Sequence, residues 1–263
     1  MADSSASVVP SDPKIPAPDE GGASPRLVCR DGVAWLTLDD GRANAIGGAF
    51  CDALSDRLDR IEAEDVFAVV LRGRPGFFCG GLDLKELPDL APDVLADTIR
   101  RFMALMHRLF LYPKPIVAAA NGHAIAGGMM MYLCADVRLA VDREDAYFGL
   151  NEARTGIPLL GGTAGICKNG IPPAHHTELI LHGCLVDPRR TFELGVTHEL
   201  VADGARLDAC AADQARRLEP LSADAYRLNK RILREPAWDQ AVAVAERLAD
   251  QAPGGNVFER IRR

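Results

Sequence analysis

The sequence predicts an α/β fold with a helical C-terminal region. Two runs, 67–71 (FAVVL) and 116–120 (IVAAA), are apolar at every position, as in strands buried on both faces. Each follows a segment whose apolar residues recur at spacings of three and four, the period of a helix. From Pro173 onward helical periods succeed one another, separated by Gly, Pro or Asp. Strand-to-helix crossings of this kind favour an α/β core.

The elements are read in chain order. Val28, then Val33, Trp35, Leu36 and Leu38, mark two short strands joined by an Asp31-Gly32 turn. Asn44 is the candidate cap of a helix carrying Ile46, Phe50, Leu54, Leu58 and Ile61 on one face. After the strand at 67–71 comes a glycine-rich loop from Gly73 to Gly81. A second helix covers about 93–110, with Leu95, Ile99, Phe102, Met106 and Leu109 on one face, and Pro113 and Pro115 end it. The strand at 116–120 leads into a second glycine loop, 121–128. A buried helix over 129–134, strands at 137–141 and 147–148, and a helix after Gly161-Gly162-Thr163 come next. The remaining helices are expected near 173–182, 188–194, 206–219, 221–234 and 237–250.

Composition narrows the function classes. The chain has 263 residues, 48% hydrophobic and 25% charged, ordinary values for a globular protein. Net charge is -7 and basic residues form no long stripe, which disfavours an electrostatic nucleic-acid binder. No apolar run approaches the 18 residues or so of a membrane span. The start lacks the charged and apolar regions of a signal peptide. Asp3, Asp12, Asp19 and Glu20 argue against a mitochondrial presequence, so the expected compartment is the cytoplasm. The seven cysteines are scattered and never spaced as CxxC, which argues against a disulfide framework or a structural zinc site. Residues 1–25 carry five prolines among small polar residues and are expected to form a flexible tail. The expected organisation is this tail, a catalytic core over 26–200, and a helical region over 201–263 that completes the core and an oligomer interface.

Three segments hold the candidate chemistry. Phe77-Phe78-Cys79-Gly80-Gly81-Leu82-Asp83 and the run from Asn121 to Gly128 are glycine loops after buried strands. Glycine lets a backbone N–H approach a ligand oxygen closely, and the second loop opens a helix whose amino end adds positive potential. Two convergent N–H groups stabilise a developing oxyanion; two tight turns in a packed core are the plainer reading. Neither loop matches the phosphate or dinucleotide glycine motifs. In the third segment, Phe148-Gly149-Leu150-Asn151-Glu152, a carboxylate follows a short apolar strand. In an apolar pocket its pKa would rise toward neutrality.

Together and in this order, the segments resemble the crotonase superfamily, also called the enoyl-CoA hydratase/isomerase family. The resemblance covers about 27–250 and is strongest at GRPGFFCGGLDLKEL (73–87), NGHAIAGGMMMYLCADVRLA (121–140) and FGLNEARTGIPLLGG (148–162). It implies a crotonase-like spiral of ββα units, a homotrimer or dimer of trimers, and an acyl-CoA thioester substrate. Coenzyme A would be the carrier, with no redox or metal cofactor. Leu82 and Gly127 would supply the oxyanion N–H groups, with Gly81, Gly128 and Met130 in the pocket. Family hydratases commonly use two glutamates. Met130 stands at the position of one and Glu152 at the other, a pattern similar to Δ3,Δ2-enoyl-CoA isomerases. The implied reaction is a shift of a 3-enoyl-CoA double bond to 2-enoyl-CoA, Glu152 moving the proton. Hydration, another enolate reaction, and acyl-CoA binding with weak catalysis stay open as alternatives.

Lys85, Lys230 and Arg231 are candidate CoA contacts. His123 is expected to be structural. Asp83 is expected to fix the first loop or cap the segment after it, and Asp136 to support a strand–helix junction. His175, His176 and His182 make no credible metal set.

Overall fold

The computed structural model describes residues 24–248. Apart from Ser24 and Pro25, the tail at 1–25 lies outside the described residues, as do 249–263. The chain runs β1 (Arg26–Arg30), β2 (Val33–Thr37), α1 (Gly48–Ala63), β3 (Ala68–Arg72), β4 (Gly76–Cys79), α2 (Pro92–Phe110), β5 (Ile116–Ala120), β6 (Gly122–Ile125) and α3 (Gly127–Leu133). It continues through β7 (Val137–Val141), β8 (Phe148–Gly149), α4 (Glu152–Thr155), α5 (Thr163–Gly170), α6 (Pro188–Glu193), β9 (Glu199–Val201), α7 (Gly204–Arg216) and α8 (Ala223–Leu248). The architecture is the predicted α/β class with a helical C-terminal region.

β1 and β2 form an antiparallel hairpin with Leu27 opposite Leu36 and Arg30 opposite Val33. Its two turn residues, Asp31 and Gly32, have φ of 49° and 71°, the turn type whose twist suits a two-residue hairpin. β2, β3, β5, β7 and β9 then run parallel, giving the order β1-β2-β3-β5-β7-β9. Alternate strand residues point to opposite faces. Val33, Trp35, Ala68, Val70, Val117, Ala119 and Leu139 pack against Leu207, Ala211 and Ala215 of α7. Ala34, Leu36, Val69, Leu71, Ile116 and Ala118 face a larger core built by α1, α2 and α3. Burial on both faces explains why these strands read as unbroken apolar runs.

A second sheet, β4-β6-β8, is parallel and small. Two of its strands lie inside the segments read as glycine loops. Four-residue strands containing glycine carry little propensity signal, and glycine is needed here for close approach. A Cβ on Gly122 would overlap the Gly76 backbone paired with it. β9 was also hidden, in a stretch read as helical; it is only three residues long and is fixed by pairing with β7.

Asn44 does not cap α1. That helix opens after Gly47 with no side-chain cap. Asn44 has φ 52° and is fully buried. Its amide donates to the carbonyls of Leu38 and Phe78, both at 3.0 Å, and its Oδ1 accepts the Asp40 N–H. It stitches the end of β2 to β4, a long-range role that local spacing does not show.

The break expected between 234 and 237 is absent, and α8 continues through Pro236. Proline forfeits a helical hydrogen bond, but tertiary contacts hold the helix on either side. Asp136 accepts the Ile116 N–H at 2.7 Å, Lys230 Nζ at 2.7 Å and Arg234 Nη2 at 2.9 Å. Arg234 Nη1 also donates to the carbonyls of Phe110 and Cys134. Beyond the proline, Trp238 packs on Gly162, where a Cβ would overlap its indole. Asp136 thus ties β5, β7 and α8 together, the supporting role expected of it.

Candidate active site

The site is built where three parallel strands end. β4, β6 and β8 lie side by side, and the residues following each are Gly80–Asp83, Ala126–Gly128 and Leu150–Glu152. Ligand sites in parallel sheets favour the carboxyl ends of strands. Three segments distant in sequence are thereby brought to one edge.

Two glycines set their spacing. Gly81 has φ 86°, and a Cβ there would stand 2.7 Å from Ile125 O and 3.0 Å from Gly127 N. A Cβ on Gly128 would overlap Cys79 O. Both are close-approach points, and neither is among the residues that line the cavity. A hydrogen bond from Ala126 N–H to Gly149 O, 2.9 Å, joins the second loop to the strand leading to Glu152. Ala126 itself has φ 52° and ψ -122°, a conformation costly for a residue with a Cβ. It turns the chain so that Gly127 opens α3, with no side-chain cap on that end.

Leu82 sits in a bridge with Ile46. Ile46 N–H donates to Gly81 O at 2.7 Å and Asp83 N–H to Ile46 O at 3.1 Å, so the Leu82 N–H between them is left out of the bridge. Gly127 N–H, in the first turn of α3, has no carbonyl a turn earlier within the helix. Asp83 Oδ1 accepts the N–H groups of Lys85 and Glu86, fixing the turn after the first loop as expected.

The cavity is lined by Leu82, Gly127, Met130 and Glu152 from the expected set. Of the three consecutive methionines, all buried, only Met130 reaches it. Sequence reading missed Phe102, Ile125, Ile157, Leu160 and Thr163, which complete an apolar wall. Phe102 was visible as a core position of α2, but nothing local distinguishes a core face from a cavity face. Glu152 opens α4, which Gly156 ends in the left-handed region at φ 76°. Its side chain is 8% exposed, and Oε2 has no hydrogen-bond partner. Burial pushes its carboxyl from 4.5 up to about 7; its own backbone N–H opposes this only in part. A buried acid poised near neutrality is suited to proton transfer.

The basic candidates separate. Lys85 is exposed and follows Leu84, which lines the cavity mouth. Lys230 is 5% exposed and salt-bridged to Asp136, so it is not a surface contact for a phosphate. Burial lowers its pKa, opposed by the Asp136 charge. The contact with Asp136 turns this lysine inward from α8. Arg231 lies outside the cavity on α8, paired with Glu235. His123 accepts the Tyr147 N–H at 3.0 Å and packs between Phe77 and Tyr147, a structural position. Among the described residues no group of His, Cys, Asp or Glu is placed to hold a metal, and no helix is long and apolar enough to cross a membrane.

An α/β spiral with one buried acid and two glycine loops at the ends of parallel strands defines a crotonase-fold enzyme. The enoyl-CoA hydratase/isomerase family model matches residues 29–252, and the chain belongs to that family. A probable enoyl-CoA hydratase of Bacillus subtilis (strain 168) is 33% identical over 189 residues, covering 71% of this chain and 70% of the relative. The structure of an enoyl-CoA hydratase/isomerase family protein from Pseudomonas syringae superposes with TM-score 0.78 at 26% identity, covering 86% and 97% of the two chains. Human mitochondrial delta3-delta2-enoyl-CoA isomerase superposes with TM-score 0.79 over 88% and 92% of the chains; at 24% identity this likeness concerns the fold.

Proposed function

We propose that this protein shifts the double bond of a 3-enoyl-CoA to the 2 position through a thioester enolate. The observation that carries this reading is Glu152, the one carboxylate buried among the described residues, with its unpartnered Oε2 in an apolar cavity that Met130 also lines. Ionised Glu152 takes a proton from C2. The electrons of that C–H bond enter the conjugated system, and negative charge collects on the thioester oxygen. The N–H groups of Leu82 and Gly127 donate to that oxygen, where fixed donors help most as charge develops. Glu152, now protonated, returns the proton to C4, leaving the double bond between C2 and C3. Hydration needs a second group to position water, and a thioether neither donates nor accepts strongly. Incubating the purified protein with 3-enoyl and 2-enoyl thioesters decides between the two: rapid hydration of the 2-enoyl substrate without any double-bond shift rejects the isomerase reading. In the same reading Lys85, beside the mouth, meets the CoA phosphates.

Gly127→Pro tests the donor. Proline suits the first position of a helix, but Ala126 before it, at φ 52° and ψ -122°, lies outside the extended range a residue before proline adopts, so the loop is strained as well as losing the N–H. A Cβ there would stand 3.1 Å from Phe102 Cε2, so the ring must shift slightly. Loss of one such donor costs about 2.7–4 kcal/mol, or 10^2–10^3 in kcat. Turnover near normal in a variant with native circular dichroism rejects the assignment.

The reading also includes a homotrimer or a dimer of trimers. α8 leaves Leu228, Ile232 and Leu233 at 58%, 61% and 72% exposure, apolar surface that a partner copy would cover. Light scattering at micromolar protein should return a multiple of three chains; a stable folded monomer rejects the assembly.

A further inference from the structure

We infer that the cavity accepts only short acyl chains, and that Phe102 and Leu160 form the wall that sets this limit. The inference rests on the acyl-CoA reading above. The cavity volume is about 70 Å3. Pockets that take drug-sized ligands measure roughly 300–1,000 Å3, so this one is small. The reacting head of the substrate, from the sulfur and carbonyl to C4, is about six non-hydrogen atoms, which leaves little room for a tail.

The wall behind that head is double. Phe102 of α2 is 1% exposed. Its Cε2 and Cζ stand 3.1 and 3.4 Å from where a Cβ on Gly127 would lie, so the ring is pressed against the start of α3. Leu160 and Thr163 close the adjoining side, and the Thr163 hydroxyl is tied to Leu160 O at 2.6 Å. Between them lie two glycines whose missing side chains are replaced by a second layer. A Cβ on Gly161 would come within 2.9 Å of Met103 Cε, and one on Gly162 would overlap the Trp238 indole. Trp238 in turn packs on His107 at 4.7 Å between ring centres. That second layer comes partly from α8, which Asp136 anchors through Lys230 and Arg234. A longer chain must therefore displace packed aromatic side chains or bend back toward the mouth, and a close-packed interior resists the first.

The test uses the full chain. kcat/KM is measured for six-, eight- and ten-carbon 3-enoyl-CoA substrates, and Kd for saturated acyl-CoAs of four to ten carbons. The wild type is expected to lose at least about tenfold in kcat/KM from six to ten carbons, since single methylenes in a fitted pocket are worth about tenfold or more. Phe102→Ala should cut that loss to about threefold or less. Leu160→Ala, at a partly buried position, makes the same test if Phe102→Ala does not fold. Equal turnover and binding across all lengths in the wild type overturns the inference. A length cut-off kept by the folded variants overturns the wall assignment. Should no length turn over while binding still shows the cut-off, the isomerase reading fails and the short-chain limit stands.

Discussion

Glu152→Gln is expected to abolish double-bond isomerisation, lowering kcat on the order of 10^3-fold or more while CoA thioester binding survives. Glutamine keeps the size and shape of the side chain and removes the group that takes the proton. Exchange of C2 protons with deuterated solvent should fall in parallel, because it needs the same abstraction. In the wild type, kcat/KM should rise as pH passes about 7, where the buried carboxyl ionises. The same shift has a stability consequence. Below pH 4.5 the carboxyl is neutral in both folded and unfolded chains. Between 4.5 and about 7 only the unfolded chain ionises, so the folded state loses ground as pH rises. The loss approaches roughly 3 kcal/mol above the folded pKa. Glutamine escapes it, so the stability of Glu152→Gln relative to wild type should improve between pH 4.5 and pH 8. Unchanged isomerisation in the folded variant would falsify the mechanism. A stability difference independent of pH would reject the buried acid.

Asp136→Ala is expected to destabilise the fold by about 3–5 kcal/mol, the usual consequence of leaving buried charge without its partner. Lys230 and Arg234 would both lose the same carboxylate, and the Ile116 N–H would lose its acceptor. Lys230→Met should be far milder, within about 1.5 kcal/mol, because the remaining Asp136–Arg234 pair is neutral and the methionine fills the space with apolar surface. Urea unfolding at fixed protein concentration reads both, since assembly makes the midpoint concentration-dependent. Equal effects of the two substitutions would show that the cluster is not held by the carboxylate.

The features legible in the chain are those fixed by local interactions. β2, β3, β5 and α1, α2 announce themselves because burial on two faces gives unbroken apolar runs and burial on one face gives a helical period. The Asp31-Gly32 turn is legible because positive φ at both positions selects those residue types. Glu152 and the two glycine loops are legible as local strings, while Met130 and the roles of all three come from their resemblance to a family. β4 and β6 are not legible, since their glycines record contact with another strand and not a propensity of their own. Asn44 shows the same limit: its neighbours in sequence suggest a cap, and its amide is spent on Leu38, just after β2, and Phe78 of β4. So do Lys230, turned inward by an aspartate 94 residues away, and Phe102, whose helical period marks it as buried without saying against what. Periodicity and glycine spacing report what a residue needs from its immediate chain. Which buried faces meet, and whether they close on each other or leave a cavity, depends on the packing of segments from α2 to α8, and no local pattern encodes that distance.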